Sequence, residues 1–224
     1  TLPTTMEPPQ DNSNSGSFWN RLKNHPRWHV ITESRVLAAL LLAVTLLYVF
    51  IELADDIMDS ETASFDVALL RFFRDEANPE QTIGPAWLQI AALDATALGG
   101  TTVLIFVVLV TLGFLWIAQK RKTFFLVLAA AIGGQIFNSA LKEFFSRPRP
   151  SIVPHLAEVH SPSFPSGHSM MSAVVYLTLG ALISRLVARP LVRAYIMSVA
   201  LLLTLIVGAT RVFLGVHYPT DVLA

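Results

Sequence analysis

Five apolar runs, at about residues 36 to 54, 98 to 118, 123 to 141, 169 to 184 and 194 to 210, constrain this chain more than any other feature. A helix crossing the hydrocarbon of a bilayer needs about 20 apolar residues, and the runs reach that length once their flanks are counted. Lipid offers no partner to backbone N–H and C=O groups, so a run that crosses must satisfy them internally, as a helix. Buried helices of a soluble core are a poor alternative, since five of them would have to fit in 224 residues. The expected fold is therefore all-α, a polytopic transmembrane helix bundle. Composition agrees: 53% of residues are hydrophobic and 14% charged, where soluble domains carry about 25% charged residues. The formal net charge is zero, which argues against nucleic acid as a partner. Absence of cysteine removes disulfide frameworks, thiolate metal sites and Cys nucleophiles.

Residues 1 to 18 are rich in Pro, Thr, Asn and Ser and read as a disordered tail or linker that runs to about residue 30. They precede the first apolar run without the pattern of a cleaved signal peptide, so that run is expected to stay as an anchor. Charge placement then sets orientation. Arg21, Lys23, Arg27 and Arg35 lie before the first run, Lys120, Arg121 and Lys122 after the second, and Arg185, Arg189 and Arg193 after the fourth. If the runs cross alternately, these ten of the sixteen basic residues share one side, which the positive-inside rule makes cytoplasmic.

The other side receives the connection from Asp55 to Gly100, the segment from Lys142 to His168 and the end of the chain from Arg211. Within the first, Phe65, Leu69, Phe72 and Phe73 recur at helical spacing with Asp66, Arg71, Arg74 and Asp75 between them. That pattern predicts an amphipathic helix on the outer surface, or a small cap packed on that face. Lys142, Arg147, Arg149 and Arg211 also fall on this side, where the orientation rule gives no reason for them, and His168, His217 and Asp221 join them. Ionisable groups at such positions are candidates for function.

Lys142 is followed after six residues by Arg149 and Pro150; next comes Pro165-Ser166-Gly167-His168; then Arg211, His217 and Asp221 at intervals of six and four. This set resembles the three-part signature of the type 2 phosphatidic acid phosphatase family, integral membrane lipid phosphatases that share an active-site fold with the vanadium haloperoxidases. The likeness covers about residues 140 to 221, with one departure: Thr210 stands where the family usually has serine. The family has six spans, so the resemblance implies a phosphatase domain over residues 31 to 224 with a sixth span beginning near Thr220.

What the resemblance implies for the site can be set beside the chemistry. Lys142, Arg149 and Arg211 would hold the phosphate, the two guanidinium forks giving bidentate geometry that an ammonium lacks. Ser166 and Gly167 would stand at the start of the fourth span, where unpaired N–H groups and the helix dipole favour an anion, with a plain N-cap by Ser166 as the bland alternative. His217 is implied as the nucleophile that forms a phosphohistidine, and His168 as the acid toward the leaving alkoxide and later the base toward water. Asp221 would accept a hydrogen bond from one ring nitrogen of His217 and leave the other to attack. Arg147, two residues from the matching arginine, is expected at the headgroup or bilayer surface. No metal or other cofactor is expected: three cations supply the charge, and the spacing of His155 and His160 is a weak basis for zinc.

The activity so implied is metal-independent hydrolysis of a lipid phosphate or pyrophosphate, with phosphatidylglycerol phosphate, phosphatidic acid and undecaprenyl pyrophosphate as the substrates the family suggests. The compact single domain fits a bacterial plasma membrane, with the N-terminus cytoplasmic and the site extracytoplasmic. Two other readings use the same residues: a phosphotransferase that passes the phosphoryl group to another lipid, and a non-enzymatic anion- or lipid-binding membrane protein.

Overall fold

The computed structural model describes residues 26–75 and 77–224, so the expected tail lies outside the described residues as far as residue 25. The helices are α1 (Pro26–Met58), α2 (Ala63–Phe72), α3 (Ala86–Ala97), α4 (Thr101–Ile117), α5 (Arg121–Phe145), α6 (Gly167–Ser184), α7 (Pro190–Phe213) and α8 (Pro219–Leu223). The chain divides into two compact units, Thr1–Ile51 and Glu52–Ala224. In the first, the side chains from Val36 to Leu47 are exposed along a stretch whose mean hydropathy is 2.6, as suits a helix solvated by lipid.

Among the described residues four helices are long and apolar enough to cross a membrane: α1 from Val36, α5, α6 and α7. The second apolar run departs from expectation. Instead of one span, α4 is 17 residues long and meets α3 at a 42° bend, and only the pair together passes the same test. The break falls at Leu98-Gly99-Gly100, where two glycines in succession make a continuous helix costly. Tyr176 Oη of α6 donates to the Leu98 carbonyl at the break (2.6 Å). Taking α3 and α4 as one broken span gives the five crossings read from the sequence.

In the second unit, α6 and α7 form the most extensive helix contact, with α5 against α6, α4 against α5 and α6, and α3 against α7. Small residues allow the close approach: a Cβ placed on Gly180 would lie 2.9 Å from that of Ala200. At the end where α5 stops and α6 begins, α2, α3 and the connecting loops cover the bundle. Ala92, Phe213, Leu214 and Val216 pack there with Phe73, Leu88 and Leu156, beside a second cluster of Leu70, Val153 and Val212.

The amphipathic helix forms as α2, but its faces do not divide by polarity: Leu70 is buried and Arg71 exposed, and two of the charged positions of the stretch point inward. Asp66 and Arg74 are 0% and 5% exposed, whereas Phe65 and Phe72 are 50% and 66% exposed. Arg74 donates to the carbonyls of Phe213 (2.9 Å) and Pro154 (3.3 Å), supplying donors to the open end of α7.

Candidate active site

Three helix ends and one loop carry the signature residues. Helix α5 presents Lys142 in its last turn and stops at Ser146, which adopts a left-handed conformation (φ 45°) and returns its N–H to the Lys142 carbonyl (2.9 Å). That turn sends Arg147 and Arg149 back across the end of the bundle. Helix α6 begins at Gly167 after an extended Ser166. Helix α7 carries Arg211 in its last turn and closes with a Schellman motif, in which Gly215 (φ 73°) donates to the Val212 carbonyl (2.9 Å) and Val216 to that of Arg211 (3.2 Å). Only two residues then separate Gly215 from Tyr218, the N-cap of α8, so His217 is held between two helix ends.

These elements enclose a cavity of about 790 Å³. Its polar end is formed by Lys142, Arg149, Gly167, His168, Arg211 and His217, and its long wall by apolar residues of α4, α5 and α6, among them Leu104, Val108, Leu112, Leu128 and Ala131. Lys142 Nζ donates to the Pro162 carbonyl (2.5 Å). Arg149 is fixed by carbonyls, Nε to Ser161 (2.7 Å) and Nη1 to Val216 (2.6 Å), with Nη1 also 3.1 Å from His217 Nε2. Arg211 Nη1 donates to Thr96 Oγ1 (3.1 Å), and its buried Nε has no protein partner. Cationic donors held in place before a ligand arrives suit an oxyanion with several oxygens.

His217 is 1% exposed. Its Nδ1 lies 3.5 Å from Asp221 Oδ2 and 3.4 Å from Ser163 Oγ, and the Ser163 hydroxyl itself makes a very short hydrogen bond to Asp221 Oδ2. Asp221 Oδ2 also accepts from the Tyr218 N–H (2.8 Å), while Oδ1 accepts from Arg147 Nη1 (2.5 Å). Burial pushes the His217 imidazole down to about 4, although its Asp221 hydrogen bond acts in the other direction. Burial alone would raise the Asp221 carboxyl; its hydrogen bond with His217 and the Arg147 charge hold it below the usual value instead. The resting pair is thus a carboxylate and a neutral imidazole, whose Nδ1 faces the carboxylate and whose Nε2 faces the cavity end.

The sequence profile of the PAP2 superfamily matches residues 123–224. Over 138 residues the chain is 33% identical to phosphatidylglycerophosphatase B of Bacillus subtilis (strain 168), covering 61% of this chain and 68% of that protein. The chain belongs to the PAP2 superfamily. Its fold matches the crystal structure of a transmembrane PAP2-type phosphatidylglycerolphosphate phosphatase from Bacillus subtilis, with TM-score 0.69 and 30% identity over 80% of this chain and 86% of that one. Aquifex aeolicus LpxE matches with TM-score 0.54 and 25% identity, over 70% and 85% of the two chains. With these relatives the protein is a multi-pass membrane phosphatase of the PAP2 type.

Of the signature residues, Lys142, Arg149, Gly167, His168, Arg211 and His217 line the cavity, and Asp221 stands behind His217. Ser166 takes a different place. It is 1% exposed, its N–H goes to the Asp221 carbonyl (2.9 Å), and its hydroxyl accepts from Ser169 (3.0 Å). It makes no side-chain cap and is turned away from the cavity that its neighbour Gly167 lines. Thr210, the departure from the family serine, bonds its hydroxyl to the Val207 carbonyl within α7 (2.7 Å).

Arg147 corrects the expectation of a surface contact. Its side chain is 13% exposed, it bonds both Asp221 and Asp66, and its guanidinium lies 4.2 Å from the Tyr218 ring centre. The attraction of two carboxylates outweighs burial and raises its pKa. His155 turns to the Pro150 carbonyl (2.6 Å), while His160 joins Glu158 on the cavity wall. Sequence reasoning also missed Ser163 and Asp66, which bond to Asp221 and to Arg147. For Ser163 a signal existed, since it lies two residues before Pro165, where the second motif begins.

Proposed function

We propose that the protein hydrolyses a lipid phosphate or pyrophosphate, without a metal, through a phosphohistidine on His217, at the extracytoplasmic face of a bacterial inner membrane. The observation that carries this is the two-part cavity: a cationic end with both histidines continues into an apolar groove between α4, α5 and α6. From Thr101 to Leu112 the α4 wall runs about 16 Å at 1.5 Å per residue, roughly half of a bilayer's hydrocarbon thickness. A water-soluble phosphate ester has no use for such a wall, and an acyl or prenyl chain does. The phosphatidylglycerol phosphate named for the Bacillus subtilis relatives is a substrate of this chemistry.

Lys142, Arg149 and Arg211 spread their charge over the non-bridging oxygens of the phosphoryl group, and the first-turn N–H groups of α6 add donors. The neutral Nε2 of His217 attacks phosphorus, forming a P–N bond as the P–O bond to the lipid breaks. His168 gives its proton to the departing alkoxide. It then takes a proton from water, whose oxygen attacks phosphorus, cleaves the P–N bond and releases phosphate. Asp221 keeps the His217 proton on Nδ1 and stabilises the ring as it becomes cationic.

Phosphate release from a panel of lipid phosphates and pyrophosphates in mixed micelles, with and without EDTA, tests activity and metal independence together. His217→Ala is expected to abolish turnover and ³²P labelling of the enzyme; turnover at the normal rate in that variant removes the mechanism. Orientation follows from basic residues flanking the spans. Cysteines placed at Gln119 and Glu158 are expected to react with an impermeant thiol reagent from opposite sides, and labelling from one side refutes it.

A further inference from the structure

Asp66 lies in the first turn of α2, is fully buried, and does not line the cavity. Its Oδ1 accepts from the Thr220 N–H (3.1 Å), and its Oδ2 accepts from Thr220 Oγ1 (2.7 Å) and Arg147 Nη2 (2.9 Å). Burying a carboxylate costs several kcal/mol unless every lone pair finds a donor, so this arrangement needs a compensating use or strong pairing. The same guanidinium reaches on with Nη1 to Asp221 Oδ1 (2.5 Å) and Thr220 Oγ1 (3.0 Å). One rigid fork thus bridges two buried carboxylates, one on α2 and one behind the nucleophile.

The bridge acts on orientation. A carboxylate pinned through one oxygen still rotates about its Cβ–Cγ bond, and rotation of Asp221 would carry Oδ2 away from His217 Nδ1. Arg147 fixes Oδ1, and Ser163 with the Tyr218 N–H fixes Oδ2, so the oxygen facing the imidazole keeps its place. Arg147 in turn has freedom only while its second nitrogen is unpaired. Asp66 removes that freedom and simultaneously ties Thr220, the neighbour of Asp221, to α2.

We propose that Asp66 is a positioning residue for the His217 nucleophile, acting through Arg147 and Asp221. The outer helix α2 thereby sets the aim of the imidazole at a site it does not touch. This inference rests on the reading of His217 as nucleophile. A brace that served only stability would lower the folded fraction and leave the turnover of each folded molecule unchanged; a positioning residue lowers kcat itself.

The full chain in detergent micelles is assayed on phosphatidic acid, with kcat normalised to folded enzyme and thermal unfolding measured in parallel. Asp66→Asn, Asp66→Glu, Arg147→Lys and the Asp66→Asn/Arg147→Lys pair are compared. Asp66→Asn is expected to lower kcat about 10- to 100-fold, the range found for outer partners of ligating groups in metal sites, with KM within about threefold. Asp66→Glu is expected to recover most of that loss. The double variant is expected to be no slower than the slower single one, because both changes break one relay. Unchanged kcat per folded Asp66→Asn molecule, or losses that multiply in the double variant, overturns the inference. If Asp66→Asn fails to fold, kcat per folded molecule of Arg147→Lys decides: a normal value there overturns it. His217→Ala separates the underlying reading: normal turnover there removes both, whereas an inactive His217→Ala beside a fully active Asp66→Asn removes this inference alone.

Discussion

Arg149 holds Nη1 3.1 Å from Nε2 of His217, the ring nitrogen opposite the one that faces Asp221. A guanidinium can only donate, so in the resting site Nε2 is the acceptor and the imidazole proton sits on Nδ1. In the proposed mechanism an arriving phosphoryl group would offer Arg149 a better, charged acceptor and release the Nε2 lone pair for attack.

Arg149 is therefore expected to contribute most where charge develops on phosphorus oxygens. Arg149→Ala is expected to lower kcat and kcat/KM together, by about 10²- to 10³-fold as for loss of one donor in other electrostatic sites. Arg149→Lys is expected to recover only part, because one ammonium cannot reproduce bonds to Val216, Ser161 and His217 from three nitrogens of a plane. Steady-state kinetics on one lipid phosphate check this; a rise in KM alone would make the contact one of ground-state binding.

Stability should fall on the acid side for a stated reason. In the folded protein burial pushes His217 down to about 4, whereas in the unfolded chain its imidazole titrates near ~6.5. The unfolded state binds more protons between those values, so the contribution is complete above ~6.5 and is lost as pH falls toward 4. Asp221, also depressed, loses its contribution at still lower pH. Thermal unfolding in detergent from pH 4 to 8 is expected to show a Tm that falls with acid, and less steeply in His217→Asn.

The spans and the cavity-lining residues of the signature were legible in the sequence, because lipid forces long apolar helices and the family motif forces spacing. Asp66 and Arg147 were not, and the reason is physical. Helical periodicity shows that Asp66 and Arg74 share a face, but it does not say which face meets protein. Here neither set keeps to one side: Phe65 and Phe72 are exposed while Leu70 is buried, and Arg71 is exposed while Asp66 and Arg74 are buried. Hydropathy likewise treats residues 98 to 118 as one run and is blind to the bend at Gly99-Gly100. The Ser166 contact was not legible either: position at a helix start identifies an N–H unpaired within the helix, and here a carbonyl from Asp221 meets it.

The bend itself matters to the site. A Cβ on Gly99 would overlap Val207 of α7 and come within 3.3 Å of the His168 Cβ. Gly99→Ala is expected to push the first turn of α6 away and to lower kcat by up to about 100-fold, the cost of misplacing a reacting group by about 1 Å. Gly113→Ala, in the same span but with open space around its Cβ, is expected to leave turnover unchanged. Equal activity of the two variants would show that His168 tolerates the displacement.

The groove makes the last prediction, because it separates chain recognition from chemistry. Ala131 lines its wall eleven residues before Lys142, which places it about 16 Å down α5 from the cationic end. Ala131→Trp fills that stretch with an indole and leaves the phosphate donors untouched. For a long-chain lipid phosphate, KM is expected to rise about tenfold, the scale on which an apolar pocket discriminates one or two methylenes. For a short-chain phosphate ester that ends before reaching Ala131, kcat and KM are expected to match the unaltered enzyme. Thermal unfolding of the variant guards against overpacking as the cause. Equal losses on the two substrates would mean that the indole disturbs the reaction site directly, and that the lipid chain lies elsewhere.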